Sequence, residues 1–184
     1  SVHALIALFC FQMARLPVRT GAAGDIVLLV DQDRSRWDQQ LIGAGFHHLE
    51  RAGTGTTLTS YHLQAQIASL HAIATSYADT EWAKILDVYD VLVTVDSSPV
   101  VLVNRAIATS MVHGPDAALA AMKQAEEHAE VSRYVWFHAA RGYVHAEAGA
   151  LECARADYSR ALALTFSEPS RRLLQSRLRS LAVD

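Results

Sequence analysis

Apolar residues recur at i, i+3, i+4 and i+7 through most of this chain, in Ala-rich stretches of twelve or more residues separated by short polar breaks. A period of 3.6 residues puts one side of each stretch into a core, so the pattern predicts α-helices. They are expected over 2–15, 35–51, 60–76, 80–95, 99–112, 115–128, 132–147, 150–165 and 168–181. Two stretches fit the period less well. Residues 26–30 (Ile-Val-Leu-Leu-Val) are short, β-branched and preceded by Gly21 and Gly24, which suits a strand or an extended buried segment. Residues 91–95 alternate as a strand would. They also continue the apolar stripe of Trp82, Ile85 and Tyr89, and so are assigned to the helix over 80–95.

From residue 60 onward the helices pair, and the pairs repeat. Gly142 is followed at fixed offsets by Ala154, Tyr158 and Ala161. The same offsets from Ala106 give Ala118, Met122 and Ala125, and from Ile73 they give Ile85, Tyr89 and Leu92. The starting positions lie 33 and 36 residues apart, close to the tetratricopeptide period of about 34. Small side chains let two helices cross closely, and the bulky one fills the groove toward the next hairpin. The expected fold is therefore all-α: stacked antiparallel helix hairpins in a tetratricopeptide-like right-handed array of about nine helices. The expected organisation is 1–59, N-terminal helices and a loop, and 60–184, the hairpins.

Composition narrows the class. Of 184 residues 51% are apolar and 19% charged, and Gly and Pro together number 13, which excludes a disordered tail and a collagen-like repeat. Cys10 and Cys153 are 143 positions apart, so no CxxC pair exists and the usage fits a reducing cytosol. The apolar run over 4–11 is too short to span a bilayer and has no small-residue cleavage site, so a cytoplasmic protein without a membrane span is expected. The net charge of −3 argues against binding nucleic acid by bulk electrostatics. Charge is uneven: residues 1–78 balance, 79–130 carry −6 and 131–184 carry +3. The basic end, with Arg171, Arg172, Arg177 and Arg179, reads as the solvated face of a last helix, or alternatively as a docking patch.

One dense polar cluster stands out: Asp31, Gln32, Asp33, Arg34, Ser35, Arg36, Trp37 and Asp38. Ser35 with Asp38 three positions on fits a capping box that opens the next helix, and Arg34 and Arg36 suit local ion pairs. An apolar strand ending in Asp-x-Asp is also similar to the nucleophile motif of haloacid-dehalogenase phosphatases. There the first carboxylate attacks phosphorus, the second acts as acid and base, and magnesium neutralises the phosphate. That chemistry needs a parallel sheet, which the helical pattern elsewhere does not supply. The loop over 53–57 has the glycines of a phosphate loop but no Gly-Lys-Ser/Thr ending, and reads as an interhelix connection capped by Thr59 or Ser60. None of the nine histidines forms an HExxH or HxH pair, and no metal or other cofactor is expected. Arg105, Arg141 and His145 mark a candidate groove, with His138 and His145 sharing a helix face on either side of Arg141.

The string Asp31-Gln-Asp-Arg-Ser-Arg-Trp-Asp38 resembles part of the C-terminal extension of extracytoplasmic-function (ECF) sigma factors of group forty-two. The likeness extends over nearly the whole chain. It takes in Ala4 to Leu8, Ala14 to Thr20, Gly24 to Leu29, Tyr61 to Ala68, Ala78 to Trp82, Tyr89-Asp90, Ser98 to Val101, Asn104 to Ala106 and Tyr158-x-Arg160-Ala-Leu162. The resemblance implies a tetratricopeptide-like, non-enzymatic extension that is needed for sigma activity, with residues 31–38 belonging to that role. Its implied partners are the sigma core domains and RNA polymerase. Asp31 and Asp33 would pair with Arg or Lys, Arg34 and Arg36 would make reciprocal pairs, and Trp37 would be an aromatic anchor. The sequence shows neither a promoter-melting domain nor a helix-turn-helix domain, so the chain is expected to be a region of such a factor or a stand-alone homologue. By itself it is not expected to start transcription or to bind promoter DNA. A homo-oligomer through an apolar face of helix 2–15 and a stand-alone peptide-binding scaffold complete the expectations.

Overall fold

The computed structural model describes residues 2–55 and 57–181, and Thr56 of the 53–57 loop lies outside them. Among the described residues the chain forms nine α-helices and no strand, an all-α helical array. They are α1 (Val2–Ala14), α2 (Gln39–Ala52), α3 (Ser60–Ile73), α4 (Trp82–Val95), α5 (Pro99–His113), α6 (Pro115–Glu126), α7 (Val135–Glu147), α8 (Leu151–Leu164) and α9 (Glu168–Ser180). The 91–95 stretch is helical as its stripe requires. Residues 26–30 form no strand: one antiparallel bridge joins Thr20 to Ile26, and a 3₁₀ turn follows at Leu29–Asp31.

Most helix ends fall within three residues of expectation, and two departures have local causes. α3 stops at Ile73 because Thr75 Oγ1 and Ser76 Oγ donate to Asp79 Oδ2 at 2.6 and 2.8 Å, closing a turn that competes with helix. α2 begins at Gln39 rather than at 35, for reasons given with the site below.

The chain divides into two compact units, 1–96 and 97–184. In the first, α1 packs on α2 and α3, and α3 packs on α4, so residues 60–96 join the N-terminal helices rather than the later hairpins as the pattern suggested. Its core gathers Ala7, Phe11 and Ala14 of α1, Ile42 of α2 and Ala65 of α3, with Val18 and Trp37 from the α1–α2 connection. Gly45 of α2 faces Phe11 so closely that a Cβ there would lie 2.7 Å from the ring.

The second unit contains the hairpins α5–α6 and α7–α8, with α9 against α8. Here the repeat positions serve as their spacing predicts. A Cβ on Gly142 would lie 2.9 Å from the Tyr158 ring, and Ala154 and Ala161 are fully buried beside it. Ala106, Ala118, Met122 and Ala125 are equally buried in the preceding hairpin. The third set departs from the pattern. Ile85 and Leu92 are core residues, but Ile73, the last residue of α3, is 60% exposed.

Candidate protein-contact site

The connection between α1 and α2 carries the polar cluster, and its backbone is held at every step. Val27 N donates to Arg19 O at 3.0 Å and Gly21 N to Asp25 O at 2.9 Å, folding residues 19–27 into a small hairpin. Asp33 Oδ1 accepts from Ser35 N at 3.0 Å and from Ser35 Oγ at 2.6 Å, which closes the 3₁₀ turn Arg34–Arg36. Asp38 then caps α2, accepting from Gln40 N and Leu41 N, while its own N–H donates to Ala14 O and ties the start of α2 to the end of α1. The Ser35–Asp38 capping box is thus not formed. Ser35 belongs to Asp33, and the helix waits until Trp37 has entered the core.

Inward and outward residues alternate along the cluster. Gln32, Arg34 and Trp37 are buried; Asp31, Asp33, Ser35, Arg36 and Asp38 are exposed. Gln32 Nε2 donates to Val27 O at 3.0 Å, and its Oε1 accepts from Arg15 Nε at 3.3 Å. Arg34, 6% exposed, donates from Nη1 to the carbonyls of His71 and Ala74 at 2.8 and 3.1 Å, and from Nη2 to Thr80 Oγ1 at 2.9 Å. Those carbonyls belong to the C-terminal end of α3, so a helix end, not a carboxylate, receives this cation. Trp37, 3% exposed, packs with Phe11, Val18 and Ile42, and the guanidinium carbons of Arg15 and Arg34 each lie 5.2 Å from its ring centroid. The expected aromatic anchor is therefore a core residue, and Arg34 forms no ion pair with the acids of the cluster among the described residues. Both hold the segment in place.

Three of the outward residues, Asp31, Asp33 and Arg36, line an open groove of about 420 Å³. Pro17, Val18 and Val27 form its apolar side, the backbone bend at Thr20, Gly21 and Ala22 its rim, and Asp31, Asp33 and Arg36 its charged side. The Asp31 and Arg36 side chains make no hydrogen bond or ion pair among the described residues. The two hydrogen bonds from Ser35 hold the Asp33 carboxyl below its usual range, so it stays ionised. The Asp-x-Asp pair does not end a strand: Asp31 closes a 3₁₀ turn and Gln32 is extended. Among the described residues no strand leads into this segment.

The second sequence-derived site resolves differently. Arg141 Nε and Nη2 reach Asp157 of α8 at 3.0 and 2.7 Å, and Arg141 Nη1 reaches Glu126 at the end of α6. His145 Nε2 and His138 Nδ1 stand 3.7 and 3.8 Å from the same Asp157 carboxylate. The bonds to Asp157 raise the pKa of the Arg141 guanidinium. Arg105 stands on α5, half-buried. Arg141 and His145 thus converge on a buried acid that joins helices. The sequence reading missed Asp157, although its place beside Tyr158 on the inward face of α8 is a signal, since a buried charge there needs partners. Among the described residues no group of three or more His, Cys, Asp or Glu side chains is placed to hold a metal ion, and no helix is long and apolar enough to cross a membrane.

These features define an all-α protein whose first unit presents a mixed-charge groove on a pinned interhelical segment. Residues 1–53, which include the whole cluster, match the model of a family of unknown function (DUF6596). An uncharacterized protein of Rhizobium meliloti (strain 1021) is 35% identical over 180 residues, covering 98% of this chain and 42% of the relative. The chain thus spans less than half the length of that curated relative. No solved structure matches the chain.

Proposed function

We propose that this chain is the non-enzymatic regulatory region of an ECF-type sigma factor, modulating transcription initiation through contacts with the sigma core domains and RNA polymerase. Promoter DNA would then be read by sigma domains outside these 184 residues. One observation carries the reading: Gln32, Arg34 and Trp37 pin the segment from within, while Asp31, Asp33 and Arg36 face a groove and form no ion pair among the described residues. A segment rigid on one side and unsatisfied on the other is suited to recognition. The resemblance of the 31–38 string to the sigma-factor extension supplies the context. A peptide groove over Arg105, Arg141 and His145 has less to offer, because Arg141 and His145 turn toward Asp157.

The test places Asp31→Asn and Asp33→Asn in the chain joined to sigma core domains. Transcription from a cognate promoter should fall at least roughly tenfold, the loss of about 1.4 kcal/mol of contact energy. The melting temperature should move by no more than a few degrees, because an asparagine keeps the Oδ1 acceptor that Ser35 uses. A proportional fall in output and folded protein would return the cluster to architecture.

A further inference from the structure

Resting on that contact-site reading, the geometry points to a basic partner segment: we infer that the groove takes an Arg or Lys side chain between Asp31 and Asp33, with a carboxylate of the same segment on Arg36. Gln32 is extended, at φ −77° and ψ 126°, so Asp31 and Asp33 fall on one face of the chain and the buried Gln32 on the other. Two carboxylates are thereby presented side by side. Among the described residues the Asp31 carboxylate accepts no hydrogen bond and forms no ion pair, and Ser35 occupies only one oxygen of Asp33. Neither forms an ion pair with Arg36, although all three line the groove.

The surrounding charge has the same sign. Residues 1–96 contain six Lys and Arg against ten Asp and Glu, a net −4. Two of those six cations, Arg15 and Arg34, are turned onto Trp37, and Arg34 is further occupied by the end of α3. The net negative charge of this unit favours a cationic partner and steers its approach. Pro17, Val18 and Val27 beside the carboxylates suit the methylene stem of a long basic side chain. An arginine fork can engage both acids, which a lysine cannot match in geometry.

The probe is a capped Leu-Arg-Ala-Glu peptide, compared with its citrulline analogue, which keeps the shape and loses the charge. Binding to the 184-residue chain is read from backbone amide shifts. The arginine peptide should move the amides of Gly21, Asp31 and Asp33 and bind at least about tenfold tighter than the citrulline peptide, less so at high salt. The Asp31→Asn/Asp33→Asn double variant, checked for an unchanged melt, should lose the same factor. Equal binding of the citrulline peptide, shifts confined to other residues, or no shifts at all would overturn the inference. Peptide binding and transcription separate the two claims. Reporter loss without arginine binding leaves the contact-site reading and removes the basic partner; arginine binding with an unaffected reporter does the reverse.

Discussion

Arg34 Nη1 lies 2.8 Å from the carbonyl oxygen of His71, so an arginine from the α1–α2 connection closes the end of α3. The last carbonyls of a helix have no partner within it and carry the negative end of its dipole. A guanidinium placed there satisfies both at once, and the same group reaches Ala74 O and Thr80 Oγ1. The cluster that looks most like a site in the sequence is thus also the clasp between α1, α2 and α3.

Replacing Arg34 by Met should therefore lower stability by about 3 kcal/mol or more, since two carbonyls and a hydroxyl lose a charged donor. Arg34→Lys keeps the charge without the fork and should recover less than half. Urea denaturation followed by circular dichroism measures both. An Arg34→Met chain as stable as the parent would show that the clasp contributes nothing.

Burial, reinforced by Arg15 and Arg34, pushes the His71 imidazole down to about 4 from its ordinary 6.5. Between these values the unfolded chain binds a proton that the folded chain refuses, so stability is full above pH 6.5 and drains away as pH falls toward 4. The loss amounts to roughly 3 kcal/mol. His71→Phe keeps an aromatic ring against Trp82, which His71 meets edge to face at 5.3 Å, and removes the titration. Its urea midpoint should fall less between pH 7 and pH 4.5 than the parent's; identical slopes would count against a neutral, half-buried His71.

Gly142→Ala should destabilise by about 1–2 kcal/mol, although alanine is the better helix former by about 1 kcal/mol. The new Cβ would meet the Tyr158 ring at 2.9 Å, and that ring is itself buried. Adding Tyr158→Leu should return part of the loss, because the space the ring occupied opens. The two single variants and the double, compared by thermal melting, check the coupling. Strict additivity would mean that the helices do not depend on this contact.

The helices and the Gly142–Tyr158 crossing were legible in the chain because both follow from local spacing. A 3.6-residue stripe has one way to be buried, and two helices that cross closely need a small residue opposite a large one. The Asp157 hub was half legible: His138, Arg141 and His145 share a face, but the acid they meet sits on another helix. The start of α2 could not be read locally, since Asp33 and Asp38 each head a good turn. What selects Asp38 is the burial of Trp37 against Ile42 of α2 and against α1 and α3 residues more than twenty positions away in sequence. The division of residues 31–38 into inward and outward sets has the same origin. Arg34 is drawn in by carbonyls 37 and 40 positions along the chain, and only once α3 has ended beside it do Asp31, Asp33 and Arg36 become the exposed side of a groove. Periodicity is a property of neighbours along the chain, whereas the alternation of this segment is set by partners that only packing brings within reach.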